Sequence, residues 1–175
     1  NNIPTTGALY DELYELQNLV TTVVNASKAA LQTIQIYADS NTASAPVVPS
    51  GIAPIKTTYS DAGVTGVTDS NLASINDALT TSAVISSRVN STIKVQGLVD
   101  AYNAVFSLAD GVPANASVNQ ALSFDQLEKL GVDTTAIKSA INASNRLGLL
   151  NNLIDGQSAT GVDTVNEISQ LIKIV

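Results

Sequence analysis

Four residue types are missing from this 175-residue chain: it has no Cys, no His, no Met and no Trp. Without Cys there is no disulfide and no thiol nucleophile. Without His there is no imidazole base, and without either there is no soft-metal site. Positive charge is scarce as well. Eight Lys and Arg stand against fifteen Asp and Glu, for a net charge of −7. A surface of that sign offers no basic footprint to a nucleic acid. Charged residues make up 13% of the chain, about half the usual quarter. No uncharged run is long and apolar enough to insert in a membrane; Leu16 to Ser27 is broken by Gln17, Asn18, Thr21, Thr22 and Asn25. No secretory signal pattern is present. The chain begins at Asn1 without Met, so it is expected to be a processed product or a piece of a longer protein.

What is present is aliphatic and hydroxylated. Hydrophobic residues are 45% of the chain, drawn from Ala, Val, Ile and Leu with only five Tyr and two Phe. Ser, Thr and Asn account for 51 of the 175 residues. A chain of this size buries roughly 70% of its unfolded surface and needs no covalent staple. Hydroxyl and amide solvation, without the oxidisable residues Cys and Met, predicts a protein working outside the cell.

Helical periodicity dominates. Leu13, Leu16, Val20, Val23, Ser27, Ala30, Ile34 and Tyr37 alternate at spacings of three and four, with no Pro or Gly between Ala8 and Asp39. This predicts one helix of about thirty residues, ~45 Å long. Thr5 and Thr6 are placed to cap it, with Asp11 and Glu12 in the first turn. Val95, Leu98, Val99, Tyr102, Val105, Phe106 and Ala109 predict a second long helix over 92–109, capped by Ser91 or Thr92. Shorter helices fit 70–80, 83–90, 123–130, 134–143 and 146–154. Ser123 and Gln126 form a capping box. Residues 40–58, with Pro46, Pro49 and Pro54, read as a linker. Further breaks stand at Asp110–Pro113 and at Asp155-Gly156, followed by Gly161. No segment alternates with period two, so the fold class is all-α.

The chain also resembles itself. Tyr59 precedes Gly66-Val67 by the same seven residues that separate Phe124 from Gly131-Val132, at an offset of 65. Leu72 then matches Ile137, and Val84-Ile85 matches Leu149-Leu150. The Thr92 helix matches the Thr164 helix at offset 72, which becomes 73 from Val95 onward. Leu16–Val20 resembles Val95–Val99, and Ala38-Asp39 resembles Ala109-Asp110. These matches predict a bundle of repeated helical units of about 70 residues. Residues 1–40 form a long helix that caps or ends a preceding unit, 41–111 a first unit with a Pro-rich lead-in, and 112–175 a second, truncated unit.

Tyr59–Leu72, Val95–Val105 and Leu108–Gly111 together resemble the helical repeats of very large secreted bacterial surface proteins, the repeat-rich adhesins and biofilm-associated proteins often exported by type I secretion. The resemblance spans roughly residues 45–175. It implies an extracellular stalk or display module whose partners are neighbouring units of the same chain, with a host, matrix or cell-surface ligand as a further partner. It carries no catalytic residue to this chain. A self-assembling surface-array subunit of the S-layer kind shares the composition, and a helical ligand carrier or enzyme is the remaining alternative.

The polar residues fit a non-catalytic module with no nucleic-acid partner, no membrane insertion and no cofactor. Eleven of the fifteen acids are Asp. A Ca²⁺ site needs six to eight oxygens from acids close in sequence, and no such loop is present, although Ca²⁺ binding is common in surface proteins that this chain resembles. The Asp residues read instead as turn and end formers, with Asp69, Asp133 and Asp163 at helix starts and Asp39, Asp110 and Asp155 at stops. Asparagine sequons at Asn25, Asn90, Asn115 and Asn142 occur at the frequency expected of a chain so rich in these residues. Tyr10, Tyr14 and Tyr37 form either a binding face or a core edge with wet hydroxyls. Asp125 and Lys129 make an i,i+4 pair, and no nucleophile stands beside a base.

Overall fold

A computed structural model describes residues 6–40, 51–112 and 120–175. Among them the chain is helical, with no strand. The helices are α1 (Thr6–Asp39), α2 (Lys56–Asp61), α3 (Leu72–Leu79), α4 (Thr92–Leu108), α5 (Phe124–Lys129), α6 (Thr135–Lys138), α7 (Ala143–Asp155) and α8 (Val165–Ile172). Single 3₁₀ turns at Ser86–Arg88 and Ala159–Gly161 precede α4 and α8.

The long first helix is present, with 34 residues. Thr6 is already helical, which puts Asp11 and Glu12 beyond the first turn; Thr5 lies outside the described residues. Only the last third of the expected stripe is covered. Ala30, Ile34 and Tyr37 are buried, whereas Leu13, Leu16, Val20 and Val23 are 61%, 57%, 48% and 59% exposed. The stripe marks a helical face, but α1 meets α2, α3 and the first 3₁₀ turn only through its C-terminal end.

Two short helices stop in the same way. After α2, Gly63 takes φ +77° and its N–H donates to Ser60 O, while Val64 N–H donates to Tyr59 O. After α5, Gly131 takes φ +86°, donating to Glu128 O, and Val132 N–H donates to Leu127 O. Both are Schellman stops, in which a left-handed glycine turns two orphan carbonyls inward. The apolar pair that closes each motif, Tyr59 with Val64 and Leu127 with Val132, is buried.

Beyond each stop the chain again takes the same course. A helix (α3 or α7) sends an Asn side chain back to a residue just ahead of the short helix: Asn76 Nδ2 donates to Pro54 O, and Asn151 Nδ2 to Leu122 O. A 3₁₀ turn then leads through a fully buried Val, Val89 or Val162, to a hydroxyl cap. Ser91 Oγ accepts from Lys94 N–H at 3.4 Å, and Thr164 Oγ1 from Glu167 N–H at 3.3 Å.

These correspondences run in a different register from the sequence matches. Tyr59 takes the place of Leu127, not Phe124, and Gly63 rather than Gly66 that of Gly131. Ile75 answers to Leu150, Ser91 to Thr164. Segment 83–90 is not a helix: Val84 and Ile85 precede the 3₁₀ turn. Its Ser86 N–H is taken by Asp39 Oδ1 at 2.7 Å, from the end of α1. Segment 134–143 contracts to the four residues of α6. The last residues of the expected 40–58 linker, from Lys56, belong to α2; Pro46 and Pro49 lie outside the described residues.

The core centres on α4. Its Val95, Leu98, Val99, Ala101, Tyr102, Val105 and Leu108 are buried, and it packs against α3 on one side and α5 and α7 on the other. At roughly 25 cal/mol per Å² of apolar surface removed from water, this two-sided burial is what holds the halves together. Ser91 is the cap of α4. Thr92 instead donates its hydroxyl to Ala62 O at 2.7 Å, tying the start of α4 to the end of α2. The Ser123–Gln126 capping box forms as expected.

Candidate functional surfaces

Three places gather polar groups or expose apolar ones: a cleft beside α4, a buried acidic node at the start of α8, and the free part of α1.

The cleft, of about 330 Å³, lies between the first turns of α4 and α5 and is lined by Arg88, Lys94, Lys129, Asp125 and Glu128 with Ile93 and Leu98. Its three cations are drawn from eight in the whole chain. Each is engaged within the fold. Arg88 donates to Glu128 O at 2.9 Å, Lys94 to Ser87 O at 2.7 Å, and Lys129 meets Asp125 at 2.6 Å as the expected i,i+4 pair. Hydrogen bonds from Lys138 and from the Thr134 hydroxyl hold the Glu128 carboxyl below its usual range. Exposed pairs of this kind contribute little to stability. The cleft is a laced seam between α4 and α5.

At the node, Asp77 on α3 accepts from Val165 N–H at 2.7 Å and so caps α8 from a distance in the chain. Glu167 accepts from Thr164 N–H at 3.0 Å. The Tyr102 hydroxyl donates to Val162 O at 3.3 Å. Burial raises the Asp77 carboxyl above its ordinary range; the Val165 bond opposes this and the charge of Glu167 adds to it. Asp163 is raised too, by desolvation and then by Glu167. Burial pushes the Tyr59 and Tyr102 hydroxyls far above the usual phenol range, so both remain neutral donors. Among the described residues, no three acids converge as a metal-ligand set.

Stability should depend on pH through this node, with a definite sign. A carboxyl raised in the fold takes up its proton before the unfolded chain does, so stability rises as pH falls through the folded value, down to the ordinary carboxyl value of 3.8. We expect the melting temperature to rise modestly on acidification from neutral pH and Asp77→Asn to remove that rise, since Asn keeps an acceptor for Val165 N–H. Asp77→Ala removes the cap as well and costs about 1 kcal/mol. Thermal melts of the three proteins at several pH values check both points; a flat profile for the parent chain would refute the first.

The Asp residues divide. Asp39, Asp110 and Asp133 accept backbone N–H groups, from Ser86, Val112 and Thr135. Asp69 instead pairs with Lys56 at 2.7 Å, and the start of α3 falls to Asn71. Asp163 gives way to Thr164 as the cap of α8. Asp155 is fully buried at the end of α7, where its carbonyl accepts from Gly111 N–H. The functional cap that sequence reasoning missed is Asp77, whose partner lies 88 residues away.

The tyrosines do not cluster. Tyr37 is buried at the core, whereas Tyr10 and Tyr14 are 71% and 69% exposed, about 35–40 Å up the helix at 1.5 Å per residue. The sequon residues Asn25, Asn90 and Asn142 are exposed, and Asn115 lies outside the described residues. No helix among the described residues is long and apolar enough to cross a membrane. Compared with protein-family models, curated proteins and solved structures, the chain matches none.

Proposed function

We propose that this chain is a non-catalytic structural or adhesive module of an exported bacterial cell-surface protein built from helical units in tandem. One observation supports the tandem reading above others. The order of short helix, glycine stop, helix with a returning Asn, 3₁₀ turn and hydroxyl-capped helix occurs twice, and α4 packs against both occurrences. Units that share a long helix bury their faces by stacking on neighbours. Composition supports the extracellular reading: a Cys- and Met-free chain, solvated by hydroxyls and amides, resists oxidation. In this reading the work of the module is spacing and presentation, and its first partners are neighbouring units.

Antibody labelling of intact source cells tests the location. We expect surface label without permeabilisation; label that appears only after permeabilisation would overturn the proposal. Adherence of a non-adherent bacterium displaying the chain then separates the adhesive role from the purely structural one.

A further inference from the structure

We propose that the free part of α1 is a self-association surface, and that its occupant is α1 of a second copy of this chain, running antiparallel. From Tyr10 to Ala29 the helix is exposed almost throughout, and Leu13, Leu16, Leu19, Val20, Val23 and Val24 are all at least two-fifths exposed. A contiguous apolar face of this length marks an interaction site. An isolated helix of this length is also marginal in water without a packed face.

The pattern selects the partner. Leu13, Leu16, Val20, Val23 and Ser27 alternate by three and four, a period of 3.5 that suits the seam of a left-handed pair of helices. The same stripe runs on without a break into Ala30, Ile34 and Tyr37, which already pack against the folded body. The surface is therefore continuous with an established helix interface.

Charge sets the direction. The three acids of the exposed stretch, Asp11, Glu12 and Glu15, sit at its N-terminal end, and its one cation, Lys28, sits at the other. A parallel pair stacks acid on acid. An antiparallel pair lays the acidic end of each helix toward Lys28 of its mate, an arrangement that favours one orientation over the other. It also sets large side chains against small ones: with a two-fold axis between Thr21 and Thr22, Leu16 faces Ser27 and Val20 faces Val23. The folded bodies, joined at the C-terminal end of each α1, then lie at opposite ends of the pair and do not collide. The contact is isologous and closes at two copies.

The absence of native cysteine makes the test clean. Light scattering coupled to size exclusion is expected to give twice the chain mass at high micromolar concentration. Val20→Glu with Val23→Glu is expected to return it to the single-chain mass, with amide-exchange protection of α4 unchanged to show that the body is still folded. The double variant L16C/S27C is expected to oxidise to a covalent dimer, whereas L16C alone is not. A parent chain that stays monomeric at every concentration overturns the proposal, and assigns the face to a different protein or to a further part of a longer chain. A covalent dimer from L16C alone overturns the antiparallel direction.

Discussion

Gly131→Ala is expected to lower stability by about 2–5 kcal/mol, a large part of what a domain has in reserve. Two costs combine. Gly131 sits at φ +86°, where a side chain costs roughly 1–2 kcal/mol. A Cβ there would also lie 2.0 Å from Thr81 Oγ1 and 2.8 Å from Thr81 Cβ. Thr81 cannot swing aside freely, because its hydroxyl donates to Ala78 O at 2.9 Å. The paired control is Gly63→Ala. It has nearly the same φ, but its nearest neighbour would be Thr92 Cγ2 at an ordinary 3.4 Å, so it is expected to cost only the backbone strain, about 1–2 kcal/mol. Urea titrations of both variants, with unchanged m-values, read the difference. Equal losses would show that α5 does not approach the α3 end closely. Adding Thr81→Ala to Gly131→Ala should restore part of the loss.

Asn151→Ala is expected to cost about 2–4 kcal/mol. The Asn151 side chain is 4% exposed and acts as a clamp. Its Oδ1 accepts from Leu122 N–H at 2.7 Å, and its Nδ2 donates to Leu122 O at 3.1 Å and to Leu147 O at 2.9 Å. Truncation leaves a buried backbone donor without its acceptor, which carries the full desolvation penalty. Asn151→Asp keeps the acceptor for Leu122 N–H but loses both donors and buries a charge, so it is expected to be no better than Ala. Asn76→Ala, at the corresponding place in the first half, is expected to cost less. Asn76 is only half-buried and makes two bonds, to Pro54 O and from the Tyr59 hydroxyl. An Asn76 variant as damaging as the Asn151 one would refute this ranking.

Long helices are legible in the sequence because their signal is local and repeated. Three-and-four spacing locates α1 and α4, and Ser123 with Gln126 locates the start of α5 from side chains three residues apart. What stays hidden depends on distant partners. Val84-Ile85 has the composition of a helix, yet the turn after it is held by Asp39 from another element. Two glycines, Gly63 and Gly66, both take positive φ, and only the hydrogen bonds of Val64 show which one stops α2. That choice displaces the register of the internal matches. Periodicity along α1 also identifies a face without saying how much of it the fold covers. Asp77 carries no sequence mark as a cap, because the amide it serves belongs to α8.

The position of α4 has a mechanical consequence. A chain of domains joined by linkers yields first at its joints. Here the junction between the halves is the interior of a 17-residue helix whose side chains are seated in both. Bending one half against the other means extracting Leu98, Tyr102 or Val105 from a close-packed core. The junction is therefore stiffer than the surfaces on either side of it, and a force applied along the chain is transmitted through α4 as through a splint.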